Sequence, residues 1–188
     1  MRLHVLILSC SVCLALCDAQ EQNPSNTVAD LYRNVVALHP LGIPRGKALR
    51  SLKPYISERM LHKLSDVKAC EINYYQQHRR GSEKPPFVWL ESGLFSGDNE
   101  LALPSSVSVQ KSELIAERVF AVQVLLDYVN DDGKEKSRYS WKVSVNVIYQ
   151  RGKYVVDDVV FYDENSTDKR GDFYDLFSSC NGRQWNGK

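Results

Sequence analysis

What the sequence withholds narrows its chemistry first. It holds no HExxH pair for zinc, no phosphate-binding loop of the Walker or GxGxxG type, and no GxSxG nucleophile turn. Beyond His4, the histidines are His39, His62 and His78, all on expected helix ends or a helix surface rather than in a cluster. Asp131-Asp132-Gly133 has the composition of a calcium loop but lacks its oxygen spacing and distal Glu, and reads as a β-turn. No metal or cofactor is therefore expected. An excess of either charge is missing too: 24 Lys and Arg against 23 Asp and Glu leave a net +1, which gives no global field to attract nucleic acid. The densest basic cluster, His78-Arg79-Arg80 with Lys84, is interrupted by Glu83 and reads as a solvated loop. Internal repeats and low-complexity tracts are also absent.

Long apolar runs are equally scarce. The exception is Val5 to Leu16, behind Arg2 and ahead of Cys17-Asp18-Ala19. It falls short of the ~20 residues of a membrane span and has the pattern of a secretory signal peptide cleaved after Ala19. The expected division is a signal peptide over 1–19 and a single exported domain over 20–188, periplasmic or extracellular. A weaker alternative is a lipid anchor on Cys17, because Leu14-Ala15-Leu16-Cys17 resembles a lipoprotein cleavage box except at Leu16. Of the five cysteines, cleavage leaves Cys70 and Cys180. In an oxidising compartment two thiols suggest one disulfide, the alternative being two buried free thiols. Asn165-Ser166-Thr167 matches a glycosylation acceptor, relevant only to a eukaryotic source.

What is present is ordinary for a globular α+β domain: 43% hydrophobic and 25% charged residues in 188. The clearest signal is Arg138 to Asp163. Tyr139, Trp141, Val143, Val145, Val147 and Tyr149 alternate with Ser140, Lys142, Ser144, Asn146 and Gln150, the period of a half-buried strand. A second strand follows Gln150-Arg151-Gly152-Lys153. A three-residue loop with only Gly152 in the left-handed region is preferred, since a two-residue loop puts Arg151 there as well. In that register Val145 opposes Asp157, which then lies on the apolar face. The alternative register places Asp158 there with Val156, Val160 and Tyr162. An inward acid is either a structural Asp bonded to amides, the commoner case, or a base or ligand anchor.

Ahead of the hairpin, Thr27 is a good helix cap for the stripe Val28, Leu31, Tyr32, Val35 and Val36. Gly46 to Leu52 suggests a helical turn. A longer helix starts near Pro54 or Ser57 and runs to about Gln77 through Ile56, Met60, Leu61, Leu64, Val67, Cys70, Tyr74 and Tyr75. Phe87 to Glu91 reads as a short strand, Ser105 to Lys111 as a weak one and Arg118 to Tyr128 as a strong one. Asp172 to Cys180 reads as a short C-terminal helix. The fold expected is thus α+β: N-terminal helices packed on a strongly curved antiparallel sheet, a cone able to keep a cavity. Candidate pocket-lining residues are Trp141, Val143, Val145, Tyr149, Asp157, Tyr74, Tyr75 and Trp89.

Particular stretches add a resemblance. KPPFVWLESGLFSGDNE (84–100), WKVSVNVIYQRGKYVVDDVVFYD (141–163) and CNGRQW (180–185) resemble a bacterial family of exported domains of unknown function. That family looks like a member of the nuclear-transport-factor-like, or cystatin-like, superfamily, and the likeness covers roughly Val28 to Trp185. It implies a helix-wrapped bent sheet with a pocket at its wide end. Some members are isomerases, dehydratases or cyclases using a pocket Asp, Tyr or His; many others bind ligands, dimerise or act as immunity proteins. The expectation drawn is a non-catalytic binding or accessory domain for an unidentified small molecule or protein, a homodimer included. The alternatives are an immunity or inhibitor protein, or an isomerase or lyase with Asp157 or Asp158 as base and Tyr149 or Tyr74 as hydrogen-bond donor. In the preferred register Tyr154, Val156, Val160, Tyr162 and Ile148 form a second apolar surface suited to a partner.

Overall fold

A computed structural model describes residues 23–78, 85–97, 103–131, 136–163 and 167–187. The expected signal peptide, the Cys17 alternative, Arg79 to Lys84, Asp132-Gly133 and Asn165-Ser166 lie outside the described residues. The first helix, α1 (Pro24–Leu38), starts earlier than Thr27, because Asn23 is the better cap. The Asn23 side chain accepts the Asn26 N–H at 2.8 Å, and Pro24 fills a first-turn position that has no N–H to satisfy. Val28, Leu31, Tyr32 and Val35 form its buried stripe. Helix α2 (Gly46–Leu52) matches the expected turn. Helix α3 (Glu58–Gln77) is capped by the Ser57 hydroxyl, which accepts the Met60 N–H at 3.1 Å; it buries Met60, Leu64, Val67, Cys70 and Tyr74.

The sheet is antiparallel, with five strands in the order of the chain: β1 (Ser106–Ala116), β2 (Val119–Asp131), β3 (Lys136–Gln150), β4 (Lys153–Tyr162) and β5 (Lys169–Asp172). With a two-stranded sheet of β6 (Cys180–Asn181) and β7 (Gln184–Trp185), the architecture is α+β. The alternation in β3 holds: Val143, Val145 and Val147 are buried, paired across β2 with Val124, Val122 and Phe120.

The β3–β4 turn differs from expectation. Gln150 pairs with Lys153, so the loop has two residues, with Arg151 at φ 50° and Gly152 at φ 85°. A two-residue loop of this hand suits the twist of the strands. The positive φ at Arg151 is tolerated because the turn docks on the start of α3. The Arg151 guanidinium pairs with Glu58 at 2.7 Å, and the Gln150 side chain accepts the Glu58 N–H at 3.1 Å.

Neither expected register survives, because β4 carries a bulge. Val147 pairs with Val156 and Asn146 with Asp158, leaving Asp157 as the inserted residue. The insertion puts Val156 and, beyond it, Val159 and Phe161 on the inner face, all at most 3% exposed. Burying each such side chain is worth roughly 1.5–3 kcal/mol, more than one disturbed ladder position costs. The acid therefore does not lie among the valines. The second apolar surface is also divided, since Val156 belongs to the core.

Two further expectations change. Phe87 to Glu91 is not a strand; Val88–Leu90 is a 3-10 turn that places Trp89 in the core beside Phe87, ring centroids 4.3 Å apart. The C-terminal helix reduces to the 3-10 turn Asp175–Phe177, followed by β6 and β7. The Asp172 carboxylate accepts the N–H groups of Tyr174 and Asp175, which tightens the chain into one turn, while the Phe173 N–H donates to the Val159 carbonyl at 2.8 Å. Phe173 and Phe177 still point inward, both fully buried.

The inner face is roofed by α1, α3 and the segment 87–97. Tyr32 Oη donates to the Phe95 carbonyl at 2.6 Å, and Trp141 Nε1 donates to the Ser96 carbonyl at 2.9 Å. Gly97, at φ 69°, passes so close to Phe161 that a Cβ there would overlap the ring. Cys70 and Cys180 stand at disulfide distance, Cα atoms 6.1 Å apart across 110 residues of sequence. No helix among the described residues is long and apolar enough to cross a membrane.

Gly97→Ala combines a disfavoured φ with that overlap, so it is expected to cost ~2 kcal/mol or more in urea unfolding; an unchanged midpoint would refute the close packing. Cys70→Ser is expected to lower oxidised-state stability by about 3–5 kcal/mol, the loop-entropy value for so long a closed loop. Adding reductant to the wild type should reproduce that loss.

Candidate functional site

The two acids singled out by sequence sit side by side at the bulge and are both engaged. Asp157 faces Arg59 of α3 in a two-pronged pair: Nε donates at 3.2 Å and Nη2 at 2.6 Å, with the carboxylate side chain 14% exposed. Arg59 also lies over the Tyr174 ring, 4.3 Å from its centroid, and Tyr174 Oη donates to the Asp157 carbonyl at 3.1 Å. Asp157 thus fastens the free length of β4 to α3, beside the bridge between Ile56 and Val156.

Asp158 is half-buried and accepts its neighbour's amide, Val159 N–H, at 2.8 Å. Burial raises its pKa above the usual carboxylate value and nearby Asp172 adds to the rise; the Val159 amide, Arg59 and the Phe173 amide oppose it. Tyr174 is raised well above the ordinary phenol range, first by burial and then by Asp157. This cluster is a structural clamp: each acid serves backbone or a cation, and Asp172 itself binds Lys169 at 2.8 Å.

The other nominated residues scatter. Val143, Val145 and Trp89 are core. Tyr74 is buried in an aromatic stack with His78 (centroids 4.2 Å apart), Phe87 and Trp185, and its neighbour Tyr75 meets it edge-on. Trp141 is half-buried, tied to Ser96, with Tyr139 stacked on it at 5.4 Å. Only Tyr149 reaches an open groove.

That groove forms where the inner face emerges beside the β1–β2 and β3–β4 turns. It measures about 520 Å³ and is lined by Leu114, Arg118, Phe120, Tyr149, Gly152 and Tyr154. Register builds it: Leu114 pairs with Phe120 and Tyr149 with Tyr154, which puts apolar groups from four strands together. Tyr154 stands edge-on to Phe120 at 5.6 Å and to Tyr149 at 5.1 Å. Leu114 is 64% and Tyr149 46% exposed, so the groove presents apolar surface to solvent. Reasoning from the sequence passed over Arg118 and Leu114 here. The available signal was that Phe120, Tyr149 and Tyr154 each lie within three residues of a hairpin turn.

A second polar network, also missed, holds the far end of β2. Asp127 accepts the Ser140 hydroxyl at 2.5 Å, the Ser106 hydroxyl at 3.3 Å and Arg138 at 3.1 Å. The Ser140 hydrogen bond, with help from Arg138 and Ser106, holds its pKa below the usual value against the cost of burial. Glu71 is likewise buried and paired with Arg45 at 2.7 Å. Among the described residues, no cluster of His, Cys, Asp and Glu is arranged to hold a metal ion. No family model matches the chain. No curated protein matches it either.

The raised pKa of Asp158 has a definite sign. The folded protein binds this proton more tightly than the unfolded chain, so ionising Asp158 removes stability as pH rises from its ordinary value of 3.8. Asp158→Asn, which keeps an oxygen for the Val159 amide, should therefore gain stability relative to wild type as pH rises from 3 to 7. Urea midpoints across that range would measure it; a difference that shrinks with pH would contradict the burial argument.

Proposed function

We propose that the chain is an exported, non-catalytic binding or accessory domain whose contact surface is the groove at the β1–β2 and β3–β4 turns. One observation carries this reading: exposed Leu114 and Tyr149, with half-buried Phe120 and Tyr154, line a groove of about 520 Å³. That lies within the range of small-molecule sites. Contiguous apolar surface left open to solvent is the usual mark of contact with something else. The acids offered as a general base support the same reading from the other side. Asp157 is paired with Arg59 and Asp158 accepts its own strand's amide, so both acids have structural partners in the fold.

Membership of the nuclear-transport-factor-like superfamily and passage through an export pathway are part of this proposal. They rest on the resemblance of the 84–100, 141–163 and 180–185 stretches, on the apolar run Val5 to Leu16, and on a cysteine pair suited to an oxidising compartment. The superfamily hosts both enzymes and binding modules, so the fold by itself favours neither.

The test is a fragment screen read by protein NMR. Fragments that bind should move the resonances of Leu114, Phe120, Tyr149 and Tyr154 together. Perturbations that leave these four untouched while clustering elsewhere would overturn the assignment.

A further inference from the structure

The two hairpins beside the groove each end in a two-residue turn that holds one arginine at positive φ, and the two arginines differ in their partners. Arg118 in the Glu117-Arg118 turn has φ 57°, and Arg151 in the Arg151-Gly152 turn has φ 50°. A residue with a Cβ is strained in the left-handed region, which Gly adopts freely. Arg151 is held by Glu58 at 2.7 Å, and nearby Lys153 donates to the Pro54 carbonyl at 2.7 Å. Lys111, on β1, is taken up by Glu113. Arg118 is exposed and has no ion pair or hydrogen bond among the described residues, although Glu117 adjoins it in the chain. It stands at the lip of the aromatic groove.

We infer that this groove binds a small amphiphilic carboxylate, its apolar or aromatic body lying on Phe120, Tyr149 and Tyr154 and its acid group meeting the Arg118 guanidinium. The inference rests on the reading of the groove as the contact surface and names the ligand class. Edge-to-face partners such as Phe120 and Tyr154 leave ring faces able to take a further flat or aliphatic group. A guanidinium offers paired donors matched to a carboxylate. A neutral apolar ligand would leave the guanidinium unpaired beside it, and a purely polar anion would leave the rings uncovered.

The experiment titrates the full chain with 3-phenylpropionate and with its neutral counterpart 3-phenylpropanol, followed by NMR shifts at Phe120, Tyr149 and Tyr154. The acid should bind about three- to tenfold more tightly than the alcohol, the gain of one partly exposed ion pair. Arg118→Gly relieves the backbone rather than straining it, so it should melt no lower than wild type while bringing the acid down to the affinity of the alcohol. Equal binding of acid and alcohol at the groove, or an acid preference that persists in Arg118→Gly, overturns the carboxylate assignment and leaves the groove as a binding surface. No shift at the groove with either probe at millimolar concentration overturns both.

Discussion

The inserted residue at Asp157 is the constraint on which the rest of the sheet depends. Without it, the parity of β4 would turn either Val156 or the pair Val159 and Phe161 away from the core. With it, all three face inward, and the two acids are kept off the inner face. The bulge would be a weak place if left to itself, because an extra residue disturbs the ladder. Arg59 compensates by gripping the Asp157 carboxylate and reaching its carbonyl as well, at 3.3 Å. The start of α3 is in turn fastened to the turn beyond through Glu58. Strand, helix and turn thus share one set of contacts, and the sheet's inner face is aligned by a polar clamp on its edge.

The roof over that face is made by an irregular segment as much as by helices. Residues 87–97 bring in Phe87, Trp89, Leu94 and Phe95, all nearly inaccessible to solvent, and give up the carbonyls of Phe95 and Ser96 to Tyr32 and Trp141. A phenol and an indole would each lose a hydrogen bond in an apolar interior; here each finds a backbone acceptor that the loop would otherwise leave unpaired. Part of the apolar surface left over lies at the turn end, where two tyrosines and a phenylalanine meet an arginine. A filled centre and an open rim are parts of the same packing solution.

Much of this was legible beforehand. The alternation from Tyr139 to Tyr149, the stripe on α1 and the apolar side of α3 follow from periodicity, and the α2 turn and the Cys70–Cys180 pairing from local composition and elimination. What escaped had physical reasons. Adjacent acids at 157 and 158 present the same polar pair to either register, so nothing local reveals that the strand inserts a residue instead of choosing. Phe87, Val88 and Trp89 have strand propensity, but Pro85 and Pro86 precede them and the packing of Trp89 demands a tight turn. The closing segment has inward Phe173 and Phe177 four residues apart, as a helix would. Asp172 spends its carboxylate on the next amides and stops the helix after one turn. The groove was hidden because it depends on pairing: the Leu114–Phe120 and Tyr149–Tyr154 pairs belong to two hairpins far apart in the chain and meet only through the β2–β3 ladder.

The placement of Cys180 has a bearing on the order of events during synthesis. Its partner Cys70 emerges first and waits while 110 further positions are added, the whole five-stranded sheet among them. The covalent link can therefore close only after every strand of that sheet has been synthesised. Until the tail has been made, the last turns of α3 lack the company of Trp185, whose ring completes the Tyr74 and His78 stack. A nascent chain would thus carry one soft helical end, firming only when its tail returns.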